Sequence, residues 1–140
     1  EAQLPPPAWT VASSPLADFT ASGESRVTSM PIDPLVTADL LESMAQTYCG
    51  DLDRTNPMIS PLFGDWSGLS PILILAGEIE AMRDDGKLCA AAAVQAGVDA
   101  TYIEGKDMVH IWPVYADRLP QAREALTQIG AFIDRNMGAA

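Results

Sequence analysis

Apolar positions along this chain fall into short blocks whose period changes from one block to the next. The densest is residues 71–76 (P-I-L-I-L-A), a continuous apolar run with the length and bounds of a buried strand. Residues 8–13 (A-W-T-V-A-S) and 100–104 (A-T-Y-I-E) predict two more short strands. Helical spacing governs three other segments. Thr37 predicts an N-cap for a helix reaching about Tyr48, with Leu40, Leu41, Met44, Ala45 and Tyr48 on one face and Gly50 as its stop. That face reads as core packing or as a lid lying on the core. Residues 86–95 are alanine-rich, include Leu88 and Val94, and stop at Gly97. Leu119-Pro120 opens a final helix with Ala122, Leu126, Ile129 and Ile133 as its stripe and Phe132 beside it. Between these, residues 1–7 read as a proline-rich linker, and residues 18–34 and 51–68 as loops.

Strand, helix, strand over residues 71–104 is a crossover unit, which makes neighbouring parallel strands and places the chain in the α/β class. Parallel strands put their carboxyl ends on one edge, where open α/β sheets bind ligands. Glu80 follows one such strand, and His110, the only histidine, follows the next. An acid and an imidazole meeting there can form an acid-oriented general base, two-thirds of a Ser-His-acid triad. About three parallel strands make a thin sheet, and the first would have an open edge unless more protein pairs with it.

Composition narrows the alternatives. The 140 residues fit one domain, and 48% hydrophobic content can fill a core. A formal charge of −11 argues against nucleic acid and against an anionic membrane surface. No apolar run is long enough for a membrane span, and the start lacks the regions of a signal peptide, so a cytoplasmic protein is expected. The first residue is Glu rather than Met, which points to processing or a fragment. Cys49 and Cys89 are too few for a disulfide framework or a zinc site, and Cys89 suits a small buried apolar role. The segment D-L-D-R-T-N (residues 51–56) opens like a calcium loop but lacks its later Gly and Glu. No G-x-G-x-x-G is present, and no cofactor is expected.

For the acid, Glu80 competes with Glu78, Asp84 and Asp107. Asp84 stands at a helix start, where capping is its plain role. Glu78 reads equally well as a solvated loop charge. Ile111 and Trp112 are candidates to line a substrate pocket beside His110, with core packing as an equally good account.

Several longer motifs then converge: S-P-L-A-D-F-T-A-S-G-E-S (residues 14–25), D-P-L (33–35), I-S-P-L-F-G-D-W-S-G-L-S-P (59–71), G-E-I-E-A-M-R-D-D (77–85), D-M-V-H-I-W (107–112) and L-P-Q-A-R-E-A-L-T-Q-I-G-A-F-I (119–133). On these motifs the chain resembles the C-terminal part of the hormone-sensitive-lipase-like branch of the α/β-hydrolases, which contains many bacterial carboxylesterases. The resemblance implies the C-terminal half of an α/β-hydrolase fold over residues 1–140. It aligns Glu80 with the family's catalytic acid, Asp84 with its trailing Asp, and His110-Ile111-Trp112 with its histidine motif. It also implies that residues 33–60 contribute to a cap over the substrate pocket.

The family's nucleophile motif, G-x-S-x-G, and its H-G-G oxyanion loop are absent from these 140 residues. The nearest string, G-D-W-S-G (residues 64–68), has the wrong spacing and lies in a loop, so Ser67 is a weak nucleophile candidate. The resemblance therefore implies a partner, the N-terminal half of the same fold carrying the nucleophilic Ser, and a small ester substrate. A catalytically silent domain kept as a binding or regulatory module is the alternative.

Overall fold

Three parallel strands lie side by side in chain order, β1 (Thr10–Ser13), β2 (Ile72–Gly77) and β3 (Ala100–Gly105). The computed structural model describes residues 7–138, so most of the expected linker, residues 1–6, lies outside the described residues. Thr10 pairs with Ile72 and Ser13 with Leu75, while Ile72 pairs with Ala100 and Gly77 with Gly105. The central strand is buried at every position, as a continuous apolar run predicts for a parallel sheet covered on both faces. Ala8 and Trp9 fall outside β1, and Gly77 and Gly105 extend the other two strands beyond their expected ends.

Four helices complete the order: α1 (Ser25–Thr28), α2 (Ala38–Cys49), α3 (Arg83–Gln95) and α4 (Pro120–Met137). Short 3₁₀ turns stand at Pro61–Phe63 and Trp112–Tyr115. The alternation of side chains along β2 divides the core in two. Ile72 and Ile74 pack with Cys89, Ala90 and Ala93 of α3. Leu73 and Leu75 pack with Trp112 and with Ala122, Ala125 and Phe132 of α4.

The helices depart from the expected pattern in three ways. α3 begins at Arg83, three residues earlier than expected, with Asp84 and Asp85 in its first turn. Carboxylates there are favoured by the positive end of the helix dipole. Its sheet-facing side is made of small residues, while Leu88 and Val94 are exposed. On α4 the buried line is Ala122, Ala125, Phe132 and Asn136, and Leu126 is exposed, so the stripe is rotated from the expected one.

Thr37 does cap α2, its Oγ1 accepting from the Leu40 amide at 3.2 Å. Only Ala45 and Cys49 of that helix are buried, while Leu40, Met44 and Tyr48 stay exposed. The Phe19 ring stacks on Tyr48 with centroids 5.3 Å apart. Leu16, Phe19, Met44, Tyr48, Met58 and Ile59 border an open apolar recess of about 610 Å³. The core reading of the α2 face therefore holds only for its inner edge. Among the described residues, no helix is long and apolar enough to cross a membrane.

Candidate active site

Glu80 and His110 leave the same edge of the sheet, one after β2 and the other after β3. The loops that carry them are stitched together by backbone. Glu78 N donates to the Gly105 carbonyl at 2.9 Å, and Ile79 N to that of Met108 at 3.2 Å. Gly77 makes this approach possible, because a Cβ there would collide with the carbonyl oxygens of Met108 and Val109.

The residue after the acid is fixed from both sides. Ala81 N donates to Asp33 Oδ2 at 2.8 Å, and the Ala81 carbonyl accepts from Ser25 Oγ at 2.8 Å. Asp33 in turn accepts from the amides of Leu35 and Val36. The D-P-L segment thus works as a clamp on the acid loop.

The Glu80 side chain is fully buried at 0% exposure. Its Oε2 lies 3.5 Å from His110 Nδ1, whose side chain is 21% exposed. Oε2 also accepts a hydrogen bond from Ser14 Oγ at 2.7 Å. Glu80 Oε1 and His110 Nδ1 are buried without a hydrogen-bond partner among the described residues. A buried carboxylate facing an imidazole nitrogen can orient the ring and stabilise its protonated form.

The rival acids have other partners. Glu78 Oε2 accepts from the Asp107 amide at 2.8 Å and so shapes the turn that leads toward His110. Asp84 accepts from the Ser25 amide at 2.9 Å and from Arg83 Nε at 3.1 Å. It therefore caps α1 across space instead of its own helix. Asp107 is exposed in a left-handed conformation, φ 57°. Ser67 Oγ donates to Asp65 Oδ1 at 2.6 Å.

Trp112 is 1% exposed and packs in the α4-side core against Gly105, where a Cβ would stand 2.8 Å from the indole. Ile111 is half-buried.

Three side chains around the site have roles that the sequence does not reveal. Asp85 accepts from the amides of Ala17 and Asp18, each at 3.0 Å, and from Arg26 Nη2 at 2.8 Å. Asp18 accepts from the amides and hydroxyls of Thr20 and Ser22. Burial opposes its charge, yet these four donors hold its carboxyl below the usual range. Ser14 is the third, since a serine before a proline marks only a turn after the first strand.

A sequence profile of the α/β-hydrolase fold matches residues 1–114. The chain belongs to the α/β-hydrolase fold family. This α/β-hydrolase chain is 37% identical over 133 residues to an acetyl-hydrolase of Streptomyces hygroscopicus, covering 95% of the chain and 44% of that protein. It is 30% identical over 127 residues to an esterase of Acinetobacter venetianus, covering 90% of the chain and 42% of the relative. Among solved structures it matches an esterase of the bacterial hormone-sensitive lipase family with a TM-score of 0.91 and 37% identity. That match covers 96% of this chain and 45% of the other. A hormone-sensitive lipase from a metagenome library matches at 0.91 and 35% identity, with coverage of 95% and 46%. The expected likeness to hormone-sensitive-lipase-type esterases is borne out, and the chain spans a little under half the length of these relatives.

Proposed function

We propose that Glu80 and His110 are the orienting acid and general base of a Ser-His-acid carboxylic ester hydrolase. Their serine and oxyanion hole would lie on an N-terminal part of the fold. The observation that carries this reading is the 3.5 Å approach of a fully buried carboxylate to an imidazole at the carboxyl edge of the sheet. His110 takes the serine proton as the hydroxyl attacks the ester carbonyl and returns it to the departing alcohol. Glu80 holds the ring in the tautomer with a proton on Nδ1 and stabilises the imidazolium. Water then attacks the acyl-enzyme by the same proton path in reverse.

The missing elements would pair with the outer edge of β1, the end strand of the sheet among the described residues. Relatives described as an acetyl-hydrolase and an esterase support a small ester as substrate. Residues 33–60, with Met44, Tyr48 and Met58 exposed around an apolar recess, would contribute to the cap.

Turnover of an aryl acetate by the complete enzyme tests the assignment. His110→Ala should remove nearly all activity and Glu80→Gln several orders of magnitude, while Asp84→Asn should keep most turnover and lose stability. A dead Asp84→Asn beside a near-normal Glu80→Gln would reverse the choice of acid. Near-normal turnover by His110→Ala would remove His110 from the assignment, and no turnover by the parent protein would leave the silent-module reading in its place.

A further inference from the structure

Ser14 stands directly after β1 and has no part in the ester-hydrolase chemistry described above. It is 5% exposed, with a backbone in the left-handed region at φ 49°. A non-glycine residue held there costs on the order of 1 kcal/mol or more, so surrounding contacts must hold it. Ile111, a β-branched residue for which φ 48° is more unusual still, is the second left-handed position at this spot. One hydroxyl joins the two. Ser14 Oγ accepts from the Ile111 amide at 2.9 Å and donates to Glu80 Oε2 at 2.7 Å.

We propose that Ser14 is a positioning residue for the acid, tying the Glu80 carboxylate to the backbone beside His110. The inference rests on the assignment of Glu80 and His110 as acid and base. Among the described residues, Ser14 makes the one hydrogen bond that the Glu80 carboxylate receives, and Oε1 has none. Without the hydroxyl, no hydrogen bond among the described residues would hold Oε2 turned toward Nδ1. The Ile111 amide fixes the lone pairs of the hydroxyl, so its proton is directed at Oε2. Because Ile111 follows His110 in the chain, the same bridge sets the acid and the imidazole relative to each other. Ser14 keeps its proton throughout and takes no part in the attack.

The test uses Ser14→Gly and Ser14→Ala in the complete enzyme. Glycine accepts φ 49° without strain but loses the whole hydroxymethyl group, whereas alanine loses only the hydroxyl and keeps a Cβ at that φ, so the two together separate backbone shape from positioning. Both variants should lower kcat about 10- to 100-fold, the size expected for losing a hydrogen bond to a charged group, with KM within about threefold. In the Glu80→Gln background the same Ser14→Gly change should cost less than about threefold, because the interaction it supports is already gone. The inference is overturned if Ser14→Gly keeps kcat within about twofold of the parent, or if its full effect persists in the Glu80→Gln background. It is also overturned if neither variant folds, which would make the hydroxyl a structural group. Inactive Glu80→Gln and His110→Ala beside a normal Ser14→Gly would sink this inference alone. A near-normal Glu80→Gln would sink the acid assignment beneath it.

Discussion

Gly77 and Met108 lie too close for any side chain to fit between them: a Cβ on Gly77 would run into the Met108 carbonyl oxygen, with that of Val109 only 2.6 Å away. Both obstacles are backbone, so they cannot swing aside. Gly77→Ala should therefore push the segment leading into His110 off the end of β2. We expect a loss of about 1–3 kcal/mol of stability, as for overpacked cores, together with a fall in kcat. Denaturant midpoints and turnover of the complete enzyme check both. Unchanged kcat would show that the histidine loop does not depend on this contact.

The buried pair Arg26–Asp85 separates charge from hydrogen-bond roles. Asp85→Ala strands the Arg26 guanidinium and also orphans the Ala17 and Asp18 amides. Arg26→Met leaves Asp85 with both amide donors. Removing one partner of a buried pair costs about 3–5 kcal/mol, and Asp85→Ala should stand at or above that range, with Arg26→Met lower. Unfolding in urea decides the order; a reversed order would mean that the guanidinium matters more than the amides.

Burial, reinforced by the charges of Asp85 and Asp18, pushes the Cys89 thiol up to about 12. Its folded pKa is raised, so its contribution to stability is fully present below the ordinary thiol value. That contribution is lost as pH rises toward 12. Cys89→Ala should flatten the alkaline limb of a stability-versus-pH curve, and iodoacetamide should leave the folded thiol untouched at neutral pH. Rapid alkylation of native protein at neutral pH would contradict this.

Expressed alone, the 140-residue chain should give no turnover of aryl esters and no labelling by a fluorophosphonate, having no serine in a nucleophile elbow. It should also self-associate, because β1 pairs only with β2 and leaves its other edge open among the described residues. Light scattering and probe labelling are the measurements. A monodisperse monomer that takes the probe would point back to Ser67.

What could be read from sequence followed from how local each signal was. The buried strand at Ile72–Gly77 shows as an unbroken apolar run because both faces exclude water. His110 was legible because it is the only imidazole and follows a strand. The α4 stripe was misplaced because Ala125 and Asn136 carry little hydrophobic signal, yet they sit on its buried line. α1, S-R-V-T, has no helical period, and its first amide is satisfied by Asp84, fifty-nine positions away. Ser14 was invisible for the same reason. Its meaning lies in Glu80 and Ile111, both distant in sequence, and a lone serine before a proline signals only a turn.

The β2–α3–β3 unit also bears on the order of folding. Its two strands pair within one contiguous stretch, from Ile72 to Gly105, which contains Glu80 and ends a few residues before His110. Ser14 reaches Glu80 across 66 positions and Ile111 across 97. Shorter loops close at lower entropic cost, so β2 and β3 are expected to pair before β1 docks. Pulse-labelled hydrogen exchange during refolding should then protect the amides of Ile74 and Ile103 ahead of the amide of Ile111. The imidazole and its carboxylate would first meet in a loose arrangement, and the late arrival of β1 would lock them.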